Sequence, residues 1–345
     1  MLAYVYEGDG RLLLKDMPKP KAQRNSAVIK VNSCSICGTD FRTYIHGSKK
    51  IAPGTIVGHE AIGTITEAGQ GVTGFRPGDR VAVAPAIGCG QCYPCKSGYP
   101  NMCDDLKTIG FQYNGGFAEY MEIPEAAFSM GNVNKLSDLI EDDEAALAEP
   151  IACVVNSHSF LNIRKGDYVA IFGSGFIGCM HAELALDSGA EKVIMIEISK
   201  SRAEAAVNLV KSIEMVNPSE VDSIQEVMKL TNGRGVNVAI TACSVGKAQE
   251  DALQIASKRG RVSLFGGIPG DGRGFIDSNL IHYKELSVYG VHASTPEQNK
   301  RVLDRITTGN LKVKKYITRA YPLINIKDAF EAIKNENIMK AVIKP

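Results

Sequence analysis

The sequence predicts an α/β protein of two domains, a β-barrel-like domain followed by a doubly wound parallel sheet. Its 345 residues are enough to bury two hydrophobic cores. Residues 1 to about 130 read as short β-rich segments between Gly/Pro turns, with no long helical period in competition. From about residue 167, apolar strands alternate with helical segments, which implies a parallel sheet with helices on both faces.

The individual elements follow from local apolar patterns and turn residues. In the first part of the chain the predicted strands are 26–31, 55–67 and 80–84. In the second part they are 168–172, 192–197, 214–217, 236–240 and 261–265, with helices at 176–188, 200–211 and 247–257. The chain is predicted to end with strand 286–291, helices 295–307 and 326–335, and strand 341–344.

Composition excludes several classes of function. Lys plus Arg is 39 and Asp plus Glu is 38, so no overall charge attracts the chain to nucleic acid or to an anionic membrane. We expect neither a membrane-spanning helix nor a secretory signal, because the apolar runs are short and charged residues interrupt the N-terminal segment. Nine cysteines, an odd number, fit a reduced cytoplasmic protein better than a disulfide framework.

Four of the cysteines stand at chelating spacing in a Gly/Pro-rich lobe at residues 88–104. Thiolates so spaced can close a tetrahedron around Zn²⁺ with no open position, which is the form of a structural site. Iron–sulfur clusters accept the same donors, so spacing alone leaves a choice of metal. The predicted ligands are Cys89, Cys92, Cys95 and Cys103.

A second, open metal site is predicted from three separate short motifs. Cys37, His59 and Glu149 can supply a thiolate, an imidazole and a carboxylate, which leaves a fourth position for water or substrate. Asp40 is a natural acceptor for the far nitrogen of His59, where it would fix the tautomer. Each motif is weak alone, and their joint occurrence predicts the site.

A glycine-rich loop follows the predicted strand 168–172 and opens a helix, as a dinucleotide-binding G-x-G-x-x-G motif requires. Gly173 permits the tight turn, Gly175 lets a pyrophosphate approach the backbone, and Gly178 allows close helix–strand packing. The amides and dipole at the helix start would hold the phosphates. The loop consists of Gly173, Ser174, Gly175, Phe176, Ile177 and Gly178.

The prediction of NAD rather than NADP depends on Glu197, at the end of the next strand. A carboxylate there would accept hydrogen bonds from the adenosine ribose and repel a 2′-phosphate. Arg202 leaves the alternative open, because an arginine so close in sequence can accommodate the extra phosphate.

These motifs stand in the order typical of the zinc-containing medium-chain dehydrogenase/reductase family, which the chain strongly resembles. The resemblance is closest to its sorbitol (L-iditol) and related polyol dehydrogenase branch, and it covers essentially the whole chain. It implies a GroES-like β-barrel catalytic domain made from residues 1–150 and 285–345. A Rossmann NAD-binding domain would occupy residues 151–284, with the active site in the cleft.

The resemblance also implies roles at the open metal site. Cys37, His59 and Glu149 are similar to catalytic zinc ligands of the family. Glu60 is similar to a carboxylate that binds the metal directly or through water. A glutamate before Pro150 is similar to the polyol branch, whereas dehydrogenases of simple alcohols place a cysteine there. This difference favours a polyhydroxylated substrate.

Further residues are similar to parts of the proton relay and the nicotinamide pocket. Thr39 is similar to the residue that passes the hydroxyl proton towards the cofactor ribose and solvent. Many relatives have a histidine where this chain has Arg42, which cannot serve as a base. Arg42 could contact a phosphate of cofactor or substrate, or form a surface salt bridge. The backbone at Gly266, Gly267 and Val291 resembles segments that flank the nicotinamide.

The resulting prediction is a zinc-dependent oxidoreductase that transfers a hydride from a secondary alcohol of a polyol or sugar to NAD, giving a ketone. Phosphorylated polyols and L-threonine remain alternative substrates. From other classes, a zinc-ribbon nucleic-acid-binding protein and an inactive NAD-binding protein remain alternatives, the former disfavoured by near-neutral charge. We expect two zinc ions per chain, NAD, a small-molecule substrate, and a homodimer or homotetramer paired through strand 286–291.

Overall fold

The structure is a computed structural model that describes residues 1–268, 272–336 and 338–345. Its α/β architecture agrees with the predicted fold class. No helix in these ranges is both long and apolar enough to cross a membrane. The chain divides into two compact units, Met1–Ala152 with Ala293–Pro345, and Cys153–His292.

Antiparallel sheets form most of the framework of the first unit, as its turn-rich sequence predicts. The central strand, Ala27–Ser35, is buried at every position except Lys30 and Asn32, because it has neighbours on both sides. The strands are β1 (Leu2–Tyr6), β2 (Leu12–Asp16), β3 (Ala27–Ser35), β4 (Thr55–Ile56), β5 (Glu60–Ala68), β6 (Arg80–Val83), β7 (Ala86–Ile87), β8 (Lys107–Thr108), β9 (Tyr120–Ile123) and β10 (Val133–Lys135).

The first unit also contains helices, and those before residue 130 are short, in agreement with the expected lack of a long helical period. The segment 38–46 is helical. It buries Asp40 and Thr43 fully, and Phe41 and Tyr44 are partly buried against the core. Its helical start depends on a cap that joins Cys37 and Asp40. The helices up to residue 161 are α1 (Gly38–His46), α2 (Tyr93–Lys96), α3 (Glu125–Ser129), α4 (Asp142–Ala145) and α5 (Ala148–Leu161).

A parallel sheet forms the core of the second unit, as the strand–helix alternation predicts. Its strands are β11 (Tyr168–Phe172), β12 (Lys192–Ile196), β13 (Ile213–Val216), β14 (Val236–Thr241), β15 (Ala256–Leu264) and β16 (Ser287–Gly290), in the order β13-β12-β11-β14-β15-β16. This order is that of a Rossmann fold. The helices are α6 (Phe176–Asp187), α7 (Lys200–Leu209), α8 (Ser223–Leu230), α9 (Gly246–Ile255) and α10 (Ser278–Lys284).

The C-terminal segment returns to the first unit. It contains α11 (Pro296–Thr307), β17 (Ile317–Pro322), α12 (Ile326–Asn335) and β18 (Lys340–Lys344). Strand β18 pairs antiparallel with β3 and parallel with β17, so it enters the central sheet. The predicted division after residue 284 falls before β16, whereas β16 pairs with β15 and belongs to the second unit.

Candidate active site

Three predicted residues of the open metal site come together in the first unit. The Cys37 Sγ, a His59 ring nitrogen and a Glu60 carboxylate oxygen lie within 4.8 Å of one another. Strand pairing explains this proximity, because Ser35 of β3 lies opposite Glu60 of β5. The segments that flank this pair therefore place a thiol and an imidazole side by side.

Gly58 allows the backbone to turn immediately before His59. Its φ is +93°, and a Cβ atom there would lie 2.7 Å from the Phe117 ring. Glycine adopts this conformation without steric cost. The His59 ring then packs at a tilt against Phe111, with ring centroids 5.7 Å apart.

Asp40 contacts both flanks of the site. Its Oδ2 accepts a hydrogen bond from the Cys37 backbone N–H at 2.9 Å, and its Oδ1 lies 3.3 Å from His59 Nδ1. Because Nδ1 lies against a carboxylate, Nε2 remains for a metal ion. Burial lowers the pKa of His59, but the charges of Asp40 and Cys37 outweigh burial and raise it well above its usual value.

Glu60 was predicted, but its buried partner Lys340 was not. Its Oε2 accepts hydrogen bonds from Lys340 Nζ and from the Ser35 hydroxyl. Lys340 also donates to the Ile36 carbonyl at 2.9 Å and is only 5% exposed. Lys340 stands 280 residues from Glu60 in the chain, so no local pattern indicates the pair.

The second oxygen of Glu60 supports a metal at this site. Within the described residues, Oε1 is buried without a hydrogen-bond partner. Burial raises the pKa of Glu60 to about 7, with Lys340 opposing the shift and Glu149 adding to it. A cation held by Cys37, His59 and this oxygen would satisfy it, and these are donor types that zinc binds. The residues therefore fit a zinc ion.

Glu149 lies beside this cluster rather than within it. It occupies the first turn of α5 and lines a small cavity together with Glu60. Its charge contributes to the raised pKa of Glu60. The part of Glu149 as a direct metal ligand stays a prediction.

Thr39 and Arg42 form a hydrogen-bonded pair on α1. Arg42 Nη2 donates to Thr39 Oγ1 at 2.9 Å, and the Arg42 side chain is exposed. The observed partner of Arg42 is thus a hydroxyl rather than the carboxylate of a surface salt bridge. Because Thr39 Oγ1 accepts from a guanidinium, its own proton is directed towards another acceptor.

The four cysteines of the lobe at residues 88–104 also come together. Their Sγ atoms all lie within 4.8 Å of one another, and all four are free thiols. Positive φ angles at Gly90 (+74°) and Gly98 (+87°) fold the loop around them. The arrangement fits one ion enclosed by Cys89, Cys92, Cys95 and Cys103.

Backbone N–H groups donate to the sulfurs of this lobe. Cys89 N–H donates to Cys103 Sγ at 3.1 Å, and Cys92 N–H donates to Cys89 Sγ at 3.4 Å. The amides of Gln91 and Cys92 lower the pKa of Cys89 to about 6, whereas burial raises the pKa of Cys103 to about 12. Four thiolates this close repel one another, so they coexist only around a cation.

In the second unit, two glycines of the loop between β11 and α6 are required sterically, and the third leaves open space. Gly173 has a φ of +99°, and a Cβ on Gly178 would lie 2.0 Å from the Gly173 carbonyl oxygen. At Gly175 no described atom lies within 4 Å of the Cβ position, so the backbone is open to a ligand. Helix α6 follows with Phe176 and Ile177, where its dipole favours a phosphate.

Glu197 follows β12 and is held by two serines. Its Oε2 accepts from the Ser174 N–H at 2.9 Å and from the Ser174 hydroxyl at 3.2 Å. Its Oε1 accepts from the Ser199 N–H at 2.9 Å. A carboxylate offers about four acceptor positions, so capacity remains for a ribose hydroxyl. Arg202 is exposed on α7.

Gly266, Gly267 and Val291 lie just beyond the carboxyl ends of neighbouring strands, β15 and β16. A Cβ on Gly266 would lie 2.1 Å from the Cys243 carbonyl oxygen, so this position requires glycine. Around the Cβ position of Gly267 no described atom lies within 4 Å. Ligands of open parallel sheets bind at this edge.

Known proteins share both parts of this arrangement. The alcohol dehydrogenase GroES-like domain family matches residues 23–131, and the zinc-binding dehydrogenase family matches residues 177–308. L-threonine 3-dehydrogenase of Pyrococcus abyssi is 36% identical over 95% of this chain and 92% of its own length. The chain belongs to the zinc-type alcohol dehydrogenase family. The predicted family and its combination of GroES-like and Rossmann folds are confirmed.

Other members of the zinc-type alcohol dehydrogenase family are similar over the full chain. Sorbitol dehydrogenase of Halalkalibacterium halodurans is 30% identical over 100% of this chain and 98% of its own length. A Sinorhizobium meliloti protein described as a zinc-binding dehydrogenase, solved with NADP bound, shares 28% identity and a TM-score of 0.92. The similarity covers 100% of this chain and 99% of that one. This chain is therefore an oxidoreductase of the zinc-type alcohol dehydrogenase class.

Proposed function

We propose that this dehydrogenase oxidises a secondary alcohol of a polyol or sugar to a ketone, with NAD as the hydride acceptor. The proposal is carried by the cluster of the half-buried Cys37 with the buried His59 and Glu60, and by the Glu149 carboxylate beside it. When bound there, zinc supplies a Lewis acid that lowers the pKa of the substrate hydroxyl. By resemblance, a carboxylate at Glu149 supports a polyhydroxylated substrate.

The chain's own residues orient the donors and receive the proton. The Asp40 carboxylate lies 3.3 Å from His59 Nδ1 and attracts that side of the ring, and Lys340 holds one oxygen of Glu60. Thr39 Oγ1 has two acceptor positions, and Arg42 fills one of them. The other is available to the substrate hydroxyl, while the Thr39 O–H can pass its proton onward to the cofactor ribose or to solvent.

Charges around Glu197 support NAD over NADP. A cavity of about 480 Å³ beside Glu197 is also lined by Glu204, Glu220 and Lys200. Three carboxylates against one ammonium group disfavour a 2′-phosphate. Because the S. meliloti relative holds NADP, both cofactors belong in the test.

L-threonine is a second candidate substrate. The P. abyssi relative named for it is 36% identical, compared with 30% for the relative named for sorbitol. L-threonine is also a secondary alcohol, so the same hydride transfer applies. It differs in the ammonium and carboxylate groups beside the reacting carbon.

We also infer that the enzyme is a homodimer or homotetramer that pairs through β16. Within the described chain this strand pairs on one side only, with β15. A second copy readily covers such an edge. Light scattering on the active enzyme tests this inference, and a fully active monomer would contradict it.

The deciding experiment is an assay of polyols, polyol phosphates and L-threonine with NAD⁺ and with NADP⁺, combined with metal analysis. We expect polyol oxidation with NAD⁺ and two zinc ions per chain, one for each proposed site. A higher kcat/KM on L-threonine would establish the second candidate instead. NADH binding without turnover of any substrate in the panel would contradict both.

A further inference from the structure

We propose that Ser174 is a positioning residue whose buried hydroxyl orients the Glu197 carboxylate and thereby strengthens discrimination between NAD and NADP. The inference deepens the proposed function and rests on it. It concerns a residue of the glycine loop that the dinucleotide motif itself leaves unspecified.

The contacts form a link between two neighbouring strands. Ser174 follows β11 and Glu197 follows β12, and β11 and β12 pair in parallel. Both side chains are buried, with 0% and 8% exposure. Glu197 Oε2 accepts two hydrogen bonds from the same serine, at 2.9 Å from its N–H and at 3.2 Å from its hydroxyl. One residue therefore supplies both donors to this oxygen among the described contacts.

Other groups near Glu197 do not replace this link. Burial, and the charge of Glu197, raise the pKa of the Cys243 thiol although the Val245 amide lowers it, so the thiol stays neutral. Lys200 lines the same cavity but is exposed. The Ser199 N–H binds the opposite oxygen, Oε1. Among the described contacts, Ser174 is therefore the residue that orients the Oε2 side of the Glu197 carboxylate.

Ser174 lies between the backbone predicted to bind the pyrophosphate and the carboxylate predicted to bind the ribose. Gly173 and Gly175 on either side shape the backbone that receives the pyrophosphate, while the serine side chain reaches the carboxylate predicted to bind the ribose. A pre-oriented acceptor binds its ligand without the cost of ordering. The same oriented charge opposes a 2′-phosphate. Loss of the hydroxyl therefore weakens NAD binding and relieves the repulsion of NADP.

Ser174→Ala in the full-length enzyme tests this, with Kd values for NADH and NADPH measured by cofactor fluorescence. We expect the Kd for NADH to rise about fivefold, as for loss of one hydrogen bond, and the Kd for NADPH to stay constant or fall. Ser157→Ala is the matched control, because the Ser157 hydroxyl is equally buried in the same unit and pairs with Ser263 at 2.9 Å. The control should leave the ratio of the two Kd values unchanged.

The same substitution in a Glu197→Ala background decides whether Ser174 acts through the carboxylate. The effect on the Kd ratio should vanish there. A persistent effect, or a ratio in Ser174→Ala equal to that of Ser157→Ala, would overturn the inference while leaving the proposed function intact. If the wild-type enzyme bound neither cofactor, the proposed function would fail together with the inference about Ser174. Ser174→Gly, with the same expected shift in ratio, is the second variant if Ser174→Ala does not fold.

Discussion

The two candidate metal sites of the first unit are assembled in opposite ways. The lobe takes all its donors from Cys89 to Cys103, and tight turns within that segment bring them together. The open site takes its donors from both sides of a strand pair, Cys37 on one and His59 with Glu60 on the other. Spacing along the chain is enough to recognise the first, whereas the second exists only when the sheet forms.

The two sites also differ in the chemistry that they can support. Four thiolates fill the coordination of a zinc ion, so the lobe can only hold its metal. The open site has mixed donors, a supporting carboxylate at Asp40 and a buried cation at Lys340. Loss of the lobe metal should therefore reduce stability, and loss of the open-site metal should reduce turnover.

Cys37→Ser should produce the largest loss of turnover. Lewis-acid chemistry is worth several kcal/mol, so we expect kcat/KM to fall by about a thousandfold or more. Metal analysis should show one zinc lost from the wild-type content. The control is Cys34→Ala, because Cys34 packs in the core nearby without belonging to the cluster. Full zinc content in Cys37→Ser would contradict its role as a ligand.

Lys340→Met should produce the second largest loss. Removing the partner of a ligating carboxylate typically costs about 10- to 100-fold in metal affinity or activity. Loss of the buried cation that faces Glu60 should also destabilise the fold by about 3–5 kcal/mol, measurable by urea unfolding. The double variant with Glu60→Gln should recover stability without recovering turnover. Recovery of turnover would mean that Glu60 serves packing alone.

Cys103→Ser should reduce the stability of the enzyme rather than its turnover. We expect one zinc to be lost and most turnover to be retained in the cold. The midpoint of thermal unfolding should fall by about 2–4 °C for each kcal/mol of lost stability. Calorimetry beside an assay at low temperature separates the two effects. A large loss of turnover with an unchanged midpoint would reverse the assignment of this lobe as structural.

Arg42→Ala should produce the smallest change. Loss of one hydrogen bond to the Thr39 hydroxyl corresponds to about 1 kcal/mol, or about fivefold in kcat. The KM for NAD⁺ should stay constant, and Arg42→Gln should retain part of the rate because its amide can still donate. A raised KM for NAD⁺ would point to a phosphate contact instead.

Local patterns predicted many of the elements because burial imposes a regular apolar period on them. Strand 168–172 and helix 326–335 have the predicted bounds. Helix 38–46 was absent from the prediction, because its fully buried residues are polar, its aromatic residues Phe41 and Tyr44 are only partly buried, and its start depends on a cap. Helix α8 (Ser223–Leu230) was also absent from the prediction, although Asp222 caps it.

The sequence by itself predicted the donors of the lobe, the glycine loop and the alternation of strands and helices in the second unit, because each depends on neighbours along the chain. Only the tertiary structure decided which distant side chains form hydrogen bonds and ion pairs with the site residues. Lys340 reaches Glu60 through sheet pairing across 280 residues, and Ser174 reaches Glu197 across two parallel strands. Buried charges and hydroxyls must find partners wherever the fold provides them. Those partners follow from packing rather than from spacing.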